Sequence, residues 1–103
     1  MQATELKTKQ ALDAAGDTSD LTDRDKHLIG LAVTLTRGCQ ACTGRRMEDA
    51  LQAGISYDTL KAAIDLTAAV NAGVVMRTAI EGAARNSIDQ VCEGAECSAG
   101  DGA

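Results

Sequence analysis

The chain has 103 residues, a formal net charge of −5 at pH 7, no Phe or Trp, and a 45% hydrophobic content drawn mostly from Ala, Leu, Val and Ile. This length suits one domain, and the acidic balance argues against nucleic acid as a partner, because such a surface needs clustered Lys and Arg. Since small side chains bury little apolar area each, we expect the domain to form a homo-oligomer.

The N-terminal stretch from Met1 to Lys7 lacks the apolar centre of a signal peptide. No run approaches the roughly 20 apolar residues of a membrane span, so we expect a cytoplasmic protein without a membrane partner. In that reducing compartment, the four cysteines are better explained by redox chemistry, catalysis or metal binding than by structural disulfides.

The predicted elements are helices, because Pro is absent, Ala is abundant and alternating β-branched runs are missing. A short, exposed helix is predicted from about Thr4 to Ala15. Thr22 is the predicted N-cap of a second helix, with Asp23 and Asp25 complementing its positive end. The density of apolar residues in this second helix predicts deep burial.

Gly38 is the predicted left-handed residue that ends the second helix, and a third helix follows at once over residues 39–54. The second and third helices are therefore expected to form a tight hairpin. Ser56 is the predicted cap of a fourth helix, which residues 71–73 are expected to separate from a fifth helix over residues 74–90.

The expected fold class is all-α, with about five helices around the central helical hairpin. We expect residues 1–91 to form this domain. Residues 92–103 offer little apolar surface to bury and predict a flexible tail that contains Cys92 and Cys97.

The pair Cys39 and Cys42 carries the strongest chemical signal. Two cysteines at i and i+3 in a first helical turn face the same side, and the helix N-terminus stabilises a thiolate there. Such a thiolate can attack a peroxide or a disulfide, and the second thiol then closes an internal disulfide. The spacing alone also fits half of a metal site or simple packing.

Three blocks in the middle of the chain form a wider pattern around the cysteine pair. They are Leu28–Cys42, then Ala50 with Ala53–Ser56, and then Leu60–Asn71. The pattern resembles the central unit of the alkylhydroperoxidase-D-like proteins, which include the carboxymuconolactone decarboxylases, over roughly residues 21–85. The resemblance implies an all-helical homotrimer or homohexamer.

In the peroxidase branch of that family, the paired cysteines reduce hydroperoxides with electrons from a dithiol donor. By resemblance, Cys42 is the peroxidatic thiol and Cys39 the resolving thiol, acting on a hydroperoxide or disulfide substrate. We expect no cofactor. A decarboxylase activity is less favoured, because the unit offers no second histidine or obvious acid to handle a carbanion.

Two positions depart from the family pattern, which has Glu twelve residues before the first cysteine and His four residues after the second. This chain has His27 and Arg46 there. Arg46 is predicted either to favour the Cys42 thiolate or to form a surface or interface salt bridge, and it cannot act as a base. His27 is interpreted either as the base or as a structural histidine.

Cys92 and Cys97 lie outside the family pattern. They are interpreted as a dithiol that exchanges with the central pair, or as incidental exposed thiols. A third hypothesis is a soft metal or metalloid site formed by Cys39, Cys42, Cys92 and Cys97. The sequence thus favours a thiol oxidoreductase, with a cysteine-based metal binder and a non-catalytic helical oligomer as alternatives.

Overall fold

The computed structural model describes residues 1–91, which contain helices and turns and no strand. A 3₁₀ turn at Ala3–Glu5 precedes five helices. They are α1 (Lys7–Gly16), α2 (Asp23–Arg37), α3 (Gln40–Gln52), α4 (Tyr57–Arg85) and α5 (Ile88–Val91). The all-α prediction is confirmed, and the predicted tail lies outside the described residues.

The chain divides into two compact units, Met1–Thr67 and Ala68–Ala103. The first unit contains α1, α2, α3 and the beginning of α4. The described part of the second unit consists of the rest of α4 and α5, and none of its residues is buried. The hydrophobic core therefore belongs to the first unit.

Helix α2 begins and ends as predicted. The Thr22 hydroxyl accepts a hydrogen bond from the Asp25 N–H (3.1 Å), and the Asp25 carboxylate accepts one from the Thr22 N–H (3.0 Å), which completes a capping box. At the other end, Gly38 adopts a left-handed conformation with φ of 74°. Glycine suits this position because it has no Cβ to clash in that region.

The core is small and lies where α2, α3 and the start of α4 meet. Leu31, Ala50, Ile55 and Leu60 are buried. The helical hairpin is confirmed, but the predicted deep burial of α2 is wrong, since Leu31 is its only buried residue. Only one face of α2 packs against the core, and other apolar side chains on the helix remain half exposed.

Helix α4 is continuous through residues 71–73, so the predicted break there and the predicted helix over residues 74–90 are wrong. Asn71 and Gly73 lower helix propensity by less than about 1 kcal/mol each, and neither removes a backbone N–H as Pro would. The helix ends at Arg85, and the left-handed Ser87 (φ of 54°) separates it from α5.

Helix α4 is also the one described helix whose length and apolar composition would allow it to cross a membrane. These criteria do not identify the surroundings of a helix, because helices that pack against protein meet them as well. The 18-residue window concerned has no buried residue. The described residues therefore leave this window of α4 uncovered, whereas the start of the helix packs against the core through Leu60.

The capping box predicts a pH-dependent contribution to stability. The backbone N–H of Thr22, followed by its hydroxyl, lowers the pKa of Asp25. When the pKa of a carboxyl group is lower in the folded state than in the unfolded state, its ionisation stabilises the fold. This contribution is complete above the unfolded pKa of about 3.9 and is lost as pH falls through the folded pKa. Asp25→Ala should lower Tm at pH 7, and the difference from wild type should shrink towards pH 2.

Thermal unfolding followed by circular dichroism measures both Tm values across this pH range. Asp20→Ala, in the loop before α2, is the control and should leave Tm nearly unchanged at every pH. A Tm difference for Asp25→Ala that stays constant from pH 7 to pH 2 would contradict the role of the carboxylate.

Candidate functional site

The candidate site begins at the junction of α2 and α3. After Gly38 closes α2, its N–H donates to the Leu35 carbonyl (3.1 Å) and the Cys39 N–H donates to the Thr34 carbonyl (3.4 Å). Cys39 then adopts an extended conformation and serves as the N-cap of α3. The two helices therefore meet without a linker, and the cysteine pair lies at their junction.

Cys39 and Cys42 are joined by a disulfide, with their Cα atoms 5.3 Å apart. The Cys42 N–H donates a hydrogen bond of 3.2 Å to the Cys39 sulfur. This N–H is one of the donors that α3 leaves without a helical partner, at the positive end of its dipole. After reduction, the same donor would stabilise negative charge on the Cys39 sulfur.

The two sulfurs differ in accessibility. Cys39 is half-buried, whereas Cys42 is exposed on the first turn of α3. Reagents from solvent can thus approach Cys42 more easily. The helix N-terminus stabilises Cys39 most directly.

An open groove lies beside Cys39, with a volume of about 470 Å³. Its walls come from the end of α2, the junction and the first half of α3. The lining residues are Leu35, Gly38, Cys39, Gln40, Thr43, Gly44 and Met47. Leu35 and Met47 also pack against the core, so the apolar part of the groove has firm support. Such a groove can hold the apolar part of a small molecule next to the disulfide.

Arg46, one turn after Cys42, extends across the hairpin to α2. Its guanidinium lies against Gly30, where an ideal Cβ would be 2.8 Å from Cζ and 3.2 Å from Nε. The two salt bridges among residues 1–91 join other residues. The predicted salt bridge of Arg46 is thus not formed within this part of the chain, and its charge stays on the hairpin that carries Cys42.

The structure does not bring His27 to the disulfide. His27 is half-buried on α2. It lies seven residues before Thr34, whose carbonyl accepts the Cys39 N–H at the junction. This separation is about 10 Å along the helix at roughly 1.5 Å per residue. Gly30, which contacts Arg46, lies between them. His27 is therefore closer to Arg46 than to the sulfurs.

Sequence reasoning missed Gly30. A glycine inside a helix costs about 1 kcal/mol relative to alanine, so one that lies on a packed helix face calls for a reason. That signal was available, but the partner of Gly30 depends on the register of the hairpin. Only the folded chain identifies Arg46 as that partner.

A metal site is not evident in the described residues. Residues 1–91 contain no group of three or more His, Cys, Asp or Glu side chains placed to hold a metal ion. The hypothetical site with four thiolates needs Cys92 and Cys97, which lie outside that range. It remains a hypothesis.

Comparisons with known proteins agree with this architecture. The sequence profile of the carboxymuconolactone decarboxylase family matches residues 6–85. A structural-genomics crystal structure of a protein from Methanobacterium thermoautotrophicum is 34% identical, with a TM-score of 0.69, over 79% of this chain and 93% of that one. No curated protein matches the chain significantly.

The contact between Gly30 and Arg46 leads to a prediction about Cys42. Gly30→Ala should displace the guanidinium from α2 without unfolding the hairpin, because the end of a long side chain can move. If the guanidinium favours the Cys42 thiolate from this position, its displacement should raise the thiol pKa of Cys42. Site-resolved alkylation of the reduced protein against pH measures this value.

The matched control is Gly82→Ala, since a Cβ there meets nothing within 4 Å. Arg46→Gln should raise the Cys42 pKa in the same way, and adding Gly30→Ala to Arg46→Gln should produce no further rise. An equal effect of Gly30→Ala with and without Arg46 would show that Gly30 acts by another route.

Proposed function

Because the chain belongs to the carboxymuconolactone decarboxylase family, which includes alkylhydroperoxidase-D-like peroxidases, we propose that it is a thiol-dependent oxidoreductase. The observation that carries the proposal is the disulfide between Cys39 and Cys42 at the N-terminus of α3. In the proposed cycle, this pair alternates between a dithiol and a disulfide.

The oxidising half of the cycle starts at Cys42, the more exposed sulfur. Its thiolate attacks the terminal oxygen of a hydroperoxide, the O–O bond breaks, and the alkoxide takes a proton to leave as an alcohol. Cys42 is now a sulfenic acid. The Cys39 thiol then attacks the Cys42 sulfur, the disulfide forms, and the hydroxyl leaves as water with the thiol proton.

The reducing half of the cycle uses a dithiol electron donor. One donor thiolate attacks the Cys42 sulfur, and Cys39 leaves as a thiolate. Because the Cys42 N–H hydrogen-bonds to the Cys39 sulfur, Cys39 is the better leaving group of the pair. The second thiol of the donor then attacks the donor sulfur of the mixed disulfide. This step releases the oxidised donor and leaves Cys39 and Cys42 reduced.

Substrate choice is assigned to the groove beside Cys39. Its apolar walls suit an organic hydroperoxide better than hydrogen peroxide, because only the former has an apolar body to bury. A small disulfide that fits the groove is the second substrate class. Neither use requires a bound cofactor.

The protons are assigned to solvent rather than to a side-chain relay. Arg46 stays charged and serves to favour the thiolate, and His27 lies about two turns of α2 from the level of the sulfurs. The exposed position of Cys42 gives water access to the reacting atoms. Activity should therefore follow the Cys42 thiolate fraction and rise with pH through its pKa.

The proposed setting is the cytoplasm, where reductants regenerate the dithiol. We propose that the protein acts as a homo-oligomer, a homotrimer or homohexamer by family resemblance, with no nucleic-acid or membrane partner. The four buried residues among residues 1–91 form a thin core, so association would add apolar burial.

Formation of the Cys39–Cys42 disulfide by peroxide tests the proposal directly. Reduced protein in which Cys92 and Cys97 are both serine should form one disulfide per equivalent of organic hydroperoxide, as measured by thiol counting and mass spectrometry. Metal content and peroxide consumption are also measured on the wild-type chain, which keeps all four cysteines. Stoichiometric metal without peroxide consumption would support the binder instead, and the absence of both would leave a non-catalytic oligomer.

Single cysteine variants separate the roles of the two sulfurs. In the same background, Cys39→Ser should react with peroxide once and stop at a Cys42 sulfenic acid, which a cyclic 1,3-diketone traps. Cys42→Ser should consume peroxide at least tenfold more slowly. If Cys42→Ser retained the faster first step, Cys39 would be the peroxidatic thiol and the assignment would be reversed.

A further inference from the structure

The hairpin that carries the dithiol is positively charged within an acidic chain. Residues 26–47 contain Lys26, Arg37, Arg45 and Arg46 and no Asp or Glu, although the whole chain has a formal net charge of −5 at pH 7. All acidic residues therefore lie before or after this segment. The segment is also the part of α2 and α3 that meets at the two cysteines.

Arg45 and Arg46 flank Cys42 on α3. At about 100° per residue, they fall about 60° and 40° to either side of Cys42, one turn farther along the helix. The Cβ atoms of residues three or four positions apart are about 5–6 Å from each other. Both arginines are exposed, as Cys42 is. A molecule that approaches the Cys42 sulfur from solvent thus comes close to two positive charges.

Arg37 adds a third charge from α2. It follows Gly30 by seven residues, or about two helical turns, and therefore lies on the same face of α2. The Arg46 guanidinium contacts Gly30. From this contact towards the junction, α2 leads to Arg37 and α3 leads to Cys42. Arg37 is exposed at the last residue of α2. We refer to Arg37, Arg45 and Arg46 as the basic face.

The carboxylates of residues 1–91 form no salt bridge with the basic face, because the two salt bridges in this range join other residues. On this face of α3, the next acidic residue is Asp49, about two turns beyond Cys42. It follows Arg45 in the order that gives the weaker helical ion pair. A Cys42 thiolate supplies only one negative charge, so the basic face keeps an excess of positive charge in the reduced site.

The groove and Arg45 lie on opposite sides of Cys42. Thr43 and Met47, which line the groove, fall about 100–140° from Cys42 in one direction around α3, and Arg45 falls about 60° in the other. A substrate with its apolar part in the groove can therefore have its reactive bond at Cys42 and a charged group beside Arg45. A guanidinium group suits a carboxylate, because its planar fork donates two parallel N–H bonds.

We propose that the basic face selects anionic substrates, so that the Cys42 thiolate reacts preferentially with small organic hydroperoxides and disulfides that carry a carboxylate. Arg45 and Arg37 are the specificity-determining residues. The inference rests on the proposed thiol oxidoreductase and adds the charge of its substrate.

With a disulfide substrate, the Cys42 thiolate attacks one substrate sulfur and the substrate S–S bond breaks. One half of the substrate leaves as a thiolate, which takes a proton from solvent. The Cys39 thiol then loses its proton to solvent and attacks the Cys42 sulfur, and the second half leaves in the same way. The two cysteines lose two electrons, which the substrate disulfide gains. The basic face attracts the incoming carboxylate and stabilises the departing thiolate.

Three disulfides of different charge test this preference. Dithiodipropionate is a dianion, hydroxyethyl disulfide is neutral and cystamine is a dication. Each is mixed at low ionic strength with reduced protein in which Cys92 and Cys97 are both serine, and mass spectrometry follows formation of the Cys39–Cys42 disulfide. Each rate is divided by the rate of the same reagent with mercaptoethanol, which removes differences in intrinsic reactivity.

The normalised rate should be at least tenfold higher for the dianion than for the dication, with the neutral reagent between them. This charge ratio should approach one in about 1 M salt, where exposed charges are screened within a few ångströms. A charge ratio near one at low ionic strength would overturn the inference. If peroxide still closed the disulfide, the redox proposal would stand without it.

Arg45→Gln and Arg37→Gln should each lower the charge ratio at least threefold. A unit charge about 7 Å away in water changes the local concentration of a monovalent ion by roughly threefold, in opposite directions for anions and cations. A change in the Cys42 pKa would alter all three rates by the same factor, so it cancels in the ratio. The ratio therefore reports on substrate charge alone.

Arg24→Gln is the matched control, because it removes the same charge at the start of α2, about 20 Å along the helix from Arg37. It should leave the charge ratio unchanged. Circular dichroism confirms that each variant keeps its helix content. An equal fall of the ratio for Arg24→Gln and Arg45→Gln would show an effect of net charge and overturn the basic face as the cause.

A hydroperoxy fatty acid and its methyl ester separate the two substrate sources. The free acid should oxidise the pair faster than the ester in the protein with both native arginines, and Arg45→Gln should reduce this difference. A charge preference seen with the disulfides alone would assign the basic face to anionic disulfides.

Discussion

The left-handed turn at Gly38 is the constraint on which the hairpin and its disulfide depend. It ends α2 and reverses the chain, so that Cys39 becomes the N-cap of α3 and the unpaired donors of that helix face the sulfur. A residue with a Cβ would be strained at this φ. One backbone conformation therefore sets both the packing of two helices and the electrostatics of the disulfide.

The thin core has consequences beyond stability. Leu31, Ala50, Ile55 and Leu60 hold the hairpin against the start of α4, and much of the remaining apolar surface is left uncovered. An Ala-rich helix can be long and regular without being buried, because its backbone hydrogen bonds need no tertiary partner. Most of the apolar side chains that α4 carries then stay exposed in residues 1–91.

The proton chemistry expected of the family is rearranged in this chain. Arg46 occupies the position of the family histidine. Its side chain extends to α2 and contacts Gly30, and it cannot serve as a base. His27 remains a turn farther along α2. In the proposed cycle, the fixed positive charge of Arg46 replaces a titratable pair, and solvent at Cys42 exchanges the protons.

The sequence by itself determined the helical class, the caps at Thr22, Gly38 and Ser56, and the position of the dithiol, because these depend on neighbours within about four residues. It did not determine the continuity of α4, because the low helix propensity of residues 71–73 does not interrupt the backbone hydrogen bonds of the helix. Only the tertiary structure decided that Arg46 meets Gly30, that His27 lies away from the sulfurs, and which apolar side chains stay exposed. These depend on the register between helices, which no local pattern specifies.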